Sequence, residues 1–133
     1  MSEENKQLVR RFAELATSDP DGLGEVVVDS YIQHSPTVGP GLAGVQTAFK
    51  NLLAAFPDLH IDIDQVVAEA DMVMARMHFH GTHKGPFLGA QPTGNQVDFE
   101  TADTWRVEGG KLAEHWDVVD RLTLAQQIGL IPT

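Results

Sequence analysis

A chain of 133 residues with a formal charge of −10 and a pI near 4.8 can bury one core, and is too acidic to gain affinity from a phosphate backbone. It contains no cysteine, which excludes disulfides, thiolate zinc sites and thiol nucleophiles. Hydrophobic residues at 42% and charged residues at 21% are ordinary for a globular protein, so one domain over residues 1–133 and no nucleic-acid partner are expected.

Ser2 can cap a first helix, with Glu3 and Glu4 in its electropositive first turn. Leu8, Phe12 and Leu15 recur at helical spacing, with Val9 and Ala16 widening the stripe. Asp19-Pro20-Asp21-Gly22 ends it. The charged residues through Glu14 leave no apolar run of a signal peptide, and no stretch approaches the ~18 apolar residues of a membrane span. A cytoplasmic protein with no membrane partner is expected. A short second helix is predicted over Leu23–Val28, then an extended tract from Tyr31 to Pro36 and a Gly/Pro-rich loop from Thr37 to Leu42. A third helix over Gly44–Phe56 buries Val45, Ala48, Phe49, Leu52, Leu53 and Phe56, and stops at Pro57.

Beyond Pro57 the period shortens. Leu59, Ile61, Ile63, Val66 and Val67 predict a first long strand, Asp71–His80 a second, Val97–Val107 a third and Lys111–Asp120 a fourth. Leu122–Ile128 is a short final helix. Residues 81–96 hold four glycines and two prolines and read as a long loop. Helices first and consecutive strands afterwards predict an α+β fold, with three N-terminal helices on one face of a strongly curved, mainly antiparallel sheet.

The glycines of Glu108-Gly109-Gly110-Lys111 permit two hairpin registers. A two-residue turn sets Asp103 opposite Trp116 and Asp117 opposite Ala102. A three-residue turn with Gly110 in the left-handed position sets Thr101 opposite Asp117 and Asp103 opposite His115. The second is preferred. It gathers Val97, Phe99, Thr101, Asp103, Trp105, Ala113, His115, Asp117 and Val119 on one face and sends Asp98, Glu100, Arg106 and Glu114 to water.

A lone Asp103–His115 pair would be an ordinary cross-strand contact. Three ionisable groups among apolar neighbours on one face favour a site instead. Asp117, His115 and Asp103 are the catalytic candidates. His34 is the expected further polar group, and Tyr31, Phe79, Phe99, Thr101 and Trp105 the expected substrate-contacting wall. His78, His80 and His83 could suggest a metal centre, but Val73, Ala75, Met77 and Phe79 should take the inward parity and turn His78 and His80 outward. No metal site is expected. Ala102, Trp116 and Val118 fall together on the outer face, an apolar patch that predicts a homodimer.

Glu114-His115-Trp116-Asp117-Val118-Val119-Asp120 after a Gly-Lys-Leu hairpin, with Gln127-Ile128-Gly129-Leu130-Ile131-Pro132 at the end, resembles the SnoaL-like polyketide cyclases of the nuclear transport factor 2-like superfamily. Phe56-Pro57-Asp58, Gly81-Thr82-His83 and Pro92-Thr93-Gly94 add weaker matches. The resemblance spans nearly the whole chain. It implies a cone of helices against a bent sheet enclosing an apolar cavity, and an intramolecular aldol closure without metal or organic cofactor. Its general base maps to Asp117, and its ligand is a small apolar or polycyclic carbonyl compound. Family cyclases also place amide and imidazole groups near the acid, where this chain has Thr101 and Asp103. An isomerase, lyase or epoxide hydrolase on the same cone stays open, as does a non-catalytic, dimeric ligand-binding domain. An epoxide-hydrolase-like Asp103–Arg106–Asp117 set is disfavoured by the strand parity of Arg106.

Overall fold

The computed structural model describes residues 2–133. Helix α1, Ser2–Ser18, buries Val9, Phe12, Ala13, Leu15 and Ala16, the stripe that its spacing predicts, and lies against the sheet formed further along the chain. Pro20–Glu25 is a 3₁₀ turn that buries Pro20 and Leu23. The helix expected over Leu23–Val28 is therefore short and ends early. Three consecutive valines follow Glu25, stiff at χ1 and better suited to a pleated surface than to a helix, and Val27–Gln33 forms strand β1. Helix α2, Gly41–Ala55, turns Val45, Phe49 and Ala55 into the core, and the fully buried Phe56 follows it.

Strands β2 (His60–Glu69), β3 (Met72–Thr82), β4 (Gln96–Glu108) and β5 (Lys111–Val119) complete an open sheet in the order β1-β5-β4-β3-β2. β1 pairs with β5 in parallel and the remaining neighbours are antiparallel, so the sheet is mixed. In β2 the register shifts between Ile63, opposite Met77, and Gln65, opposite Arg76. Asp64 is the extra residue of a bulge, which is why the inward parity passes from Ile61 and Ile63 to Val66 and Ala68.

The inner face carries Val73, Ala75, Met77 and Phe79 from β3, and Val97, Phe99, Thr101, Asp103 and Trp105 from β4, all buried. Trp105 meets Phe12 of α1 with ring centroids 5.4 Å apart, and Phe49 of α2 meets Phe79 at 6.4 Å. These contacts seat the helices on the sheet. The loop between β3 and β4 is anchored at its base, where His83 N–H donates to Asn95 O (2.8 Å) and Gly94 N–H to His83 O (2.9 Å). Lys84 and Gly85 N–H cap the Ala55 carbonyl at 2.9 and 3.0 Å. A Cβ at Gly85 would lie 2.2 Å from Ala54 O, so this crossing requires glycine. Helix α3, Arg121–Gln127, is capped by Asp120, which accepts from Thr123 N–H at 3.1 Å. Among the described residues, no helix is long and apolar enough to cross a membrane.

Candidate active site

The β4–β5 hairpin decides which side chains meet. Glu108 pairs with Lys111, and Gly109 and Gly110 both take positive φ (59° and 77°). The turn thus has two residues, of the kind that needs left-handed backbone at both. Val107 then faces Leu112, but Arg106 faces Glu114, which leaves Ala113 as a bulge with Leu112 and Ala113 both buried. The structure corrects both registers drawn from the sequence. Thr101 stands opposite Val119, Asp103 opposite Asp117 and Trp105 opposite His115. The face shared by Thr101, Asp103, His115 and Asp117 is nevertheless the expected one. The extra residue sits in the strand rather than in the turn, and either position restores the same parity.

On this face His115 Nε2 lies 2.8 Å from Asp103 Oδ1, and Thr101 Oγ1 donates to Asp103 Oδ2 at 2.5 Å. His115 Nδ1 is 2.7 Å from Gln33 Oε1. Thr101, Asp103 and His115 are buried and Asp117 is half-buried, yet Asp117 Oδ1 is itself shielded from solvent and has no hydrogen-bond partner among the described residues. The imidazole of His115 is flanked by Tyr31 (6.2 Å, interplanar 15°) and Trp105 (5.1 Å). Trp105 Nε1–H donates to the Tyr31 hydroxyl at 2.8 Å. Burial drives the Tyr31 hydroxyl far above its ordinary pKa; the Trp105 hydrogen bond opposes this, and the nearby Asp103 and Asp117 add to it. Tyr31 therefore stays neutral beside the acids.

His34 lies away from this cluster. Parallel pairing sets Gln33 opposite His115, so alternation along β1 turns His34 to the outer face. There it stacks on Trp116 (5.0 Å, 7°) and pairs with Glu114 at 2.7 Å. Hydrogen bonds from His34 and then Arg106 hold the Glu114 carboxyl below its usual range. Gln33 is the polar residue that sequence reading missed. The signal was present: Tyr31, Gln33 and Ser35 share one parity, and Tyr31 was already assigned inward. Phe79 and Phe99 stack at 5.2 Å within the hydrophobic core.

Asp103, His115 and Asp117 are, among the described residues, the group whose ligand atoms converge, all within 4.8 Å of one another. A cation there would compete with Asp103 for His115 Nε2 and with Gln33 for Nδ1. His78 and His80 face outward: His78 pairs with Asp64 and lies 3.2 Å from Glu100, and His80 lies 2.9 Å from Asp62. His83 is fully buried, and its Nδ1 accepts from Thr93 N–H at 3.3 Å. Arg106 is bonded to Glu114 at 2.9 Å on the outer face, opposite in parity to Asp103. A cleft of about 340 Å³ opens between the segment after β1 and α2, lined by residues including Thr37, Pro40, Gly44, Thr47 and Asn51. Thr37 on its rim accepts from Arg121 at 3.2 Å.

Helices laid on one face of an open mixed sheet, with an Asp–His–Asp group on the inner face, define an α+β protein of the nuclear transport factor 2-like fold. The chain belongs to the SnoaL-like polyketide cyclase family, whose model matches residues 6–128. Its fold is similar to that of TsrD from Streptomyces laurentii, at 31% identity and a TM-score of 0.90 over 97% of each chain. It is also similar to AclR from Streptomyces galilaeus, described as a candidate hydroxylase, at 29% identity and a TM-score of 0.90 over 100% of this chain and 85% of that one. IdmH from Streptomyces antibioticus, described as a candidate polyketide cyclase, is 27% identical with a TM-score of 0.83, over 94% of this chain and 98% of that one. No curated protein is significantly similar in sequence.

Proposed function

We propose that the chain is a small-molecule enzyme of the polyketide (ester) cyclase type, in which Asp117 is the general base of an intramolecular aldol closure. One observation carries this reading. Both oxygens of Asp103 and both nitrogens of His115 are engaged by neighbours, whereas the buried Asp117 Oδ1 has none. An unspent carboxylate oxygen in a desolvated setting is the group able to take a proton from carbon.

In the reaction, the Asp117 carboxylate removes a proton from carbon between two carbonyls, and the electron pair moves onto oxygen as an enolate. The enolate carbon attacks a second carbonyl carbon of the same molecule. A carbon–carbon bond forms, and the resulting alkoxide takes the proton now held by Asp117, which regenerates the base. These steps require a base and a proton source, and no cofactor or metal. Asp103 and His115 hold their shared proton beside the base. A small apolar or polycyclic carbonyl compound is the ligand class.

A homodimer through the outer sheet face belongs to the same proposal. Val118 (74% exposed) and Met74 (50%) lie there with Ala102 and Trp116, an apolar band on an acidic chain. The test of function is turnover with a library of polycyclic and β-keto ester compounds. The proposal expects a substrate whose conversion is lost in Asp117→Asn while binding persists. Conversion at the parent rate in that variant would overturn it.

A further inference from the structure

Gln33 restricts where the protons of the buried cluster can lie. Its Oε1 accepts the Ser35 backbone N–H at 2.9 Å. A backbone amide can only donate, so the group facing it must be the oxygen of the Gln33 amide and not its nitrogen. The same oxygen lies 2.7 Å from His115 Nδ1. A ring nitrogen that faces an acceptor oxygen must carry a proton. Amide orientation and imidazole tautomer are ordinarily free choices; here the main chain at Ser35 removes the first, and the first removes the second.

We infer that Gln33 is a positioning residue that locks His115 in a form protonated at Nδ1 and aims Nε2 at Asp103. The 2.8 Å contact between Nε2 and Asp103 Oδ1 then has two possible states. It is an imidazolium donating to aspartate, or an aspartic acid donating to neutral imidazole. The neutral form protonated only at Nε2, which an aspartate alone would favour, is excluded. The charged and titratable groups around the ring are Asp103 from β4, Asp117 from β5 and Tyr31 from β1. Trp105 and Thr101 are neutral neighbours.

The consequence for chemistry rests on the proposed role of Asp117. With Nδ1 committed to Gln33 and Nε2 to Asp103, neither nitrogen of His115 is free for a substrate. His115 acts through Asp103, keeping one proton stored next to the base, and Gln33 holds Nδ1 protonated so that the stored proton stays between Nε2 and Asp103. Gln33 thus differs from a residue that merely fills space at the end of β1.

The experiment reads the tautomer directly and needs no substrate. Long-range ¹H–¹⁵N correlation on histidine-labelled protein, with His115 assigned by its absence in His115→Gln, should show Nδ1 protonated in the parent. Gln33→Leu removes the acceptor and should leave Nδ1 bare, with the ring proton on Nε2 alone. Gln33→Glu restores an oxygen that accepts from both Ser35 and His115, and should restore the Nδ1–H pattern. A parent protein with bare Nδ1, or an unchanged pattern in Gln33→Leu, overturns the inference. Should Gln33→Leu fail to fold, the parent and Gln33→Glu spectra still decide it. Loss of the Asp117 proposal would appear only in turnover, and would leave these spectra untouched.

Discussion

Asp103 and Asp117 face each other directly across the β4–β5 ladder, two carboxylates on the inner face of the sheet. Like charges in directly opposed positions destabilise a strand pair. Thr101 and His115 engage Asp103, whereas Oδ1 of Asp117 is left unpartnered. Such an opposed pair costs stability.

The first prediction follows from that opposition. Asp117→Asn removes the basic oxygen of one of the two facing carboxyls while keeping the shape of the side chain. Turnover should fall by roughly 10²–10⁴-fold, the usual contribution of a general base, while the denaturation midpoint holds or rises. Rate and urea midpoint measured on the same preparation check both halves. A fall in stability that matches the fall in rate would point to a structural role.

Tyr31 and Trp105 give a second test, one of stability. The indole N–H of the fully buried Trp105 donates to the hydroxyl of Tyr31 at 2.8 Å. Tyr31→Phe leaves that donor buried and unpaired, which costs about 1–3 kcal/mol. Urea unfolding should report a lower midpoint with an unchanged slope. An unaltered midpoint would mean that the indole finds another acceptor.

On the outer face, His78 predicts a pH dependence. Its pKa is raised above 6.5, first by its hydrogen bond to Asp64, and also by attraction to Asp64, Asp98 and Glu100, against partial desolvation. A raised histidine contributes stability that is fully present below its unfolded pKa and lost as pH rises through the folded value. The parent should melt above His78→Gln at about pH 6 and converge with it by about pH 9. A gap that widens toward alkaline pH would contradict this sign.

The proposed dimer is checked at Val118. Sedimentation at micromolar concentration should show a dimer for the parent and a monomer for Val118→Glu, which places a charge in the apolar band. A monomeric parent removes the interface from the proposal and leaves Ala102 and Val118 as ordinary surface residues.

The helices α1 and α2 and the four strands from β2 onward are legible from periodicity, because one face of each is packed against a single core and its apolar residues must recur at 3.6 or 2. The helix predicted over Leu23–Val28 is the exception: Val27 and Val28 belong to strand β1. What makes them a strand is the partner β5, far along the chain. Asp103, His115 and Asp117 were likewise legible as one group by parity, though not as the pairs that they form.

Pairing belongs to the tertiary structure for a physical reason. Alternation specifies only odd or even, so an extra residue in the turn and a bulge at Ala113 look identical in sequence, while they shift the partners along the ladder. The same holds for Gln33 and His34, adjacent residues on opposite faces. Parity with Tyr31 marks Gln33 as inward, but its partner is set only by the parallel docking of β1 on β5, which places Gln33 opposite His115. Chain pattern chose the acids and the imidazole; long-range strand pairing chose which atoms touch.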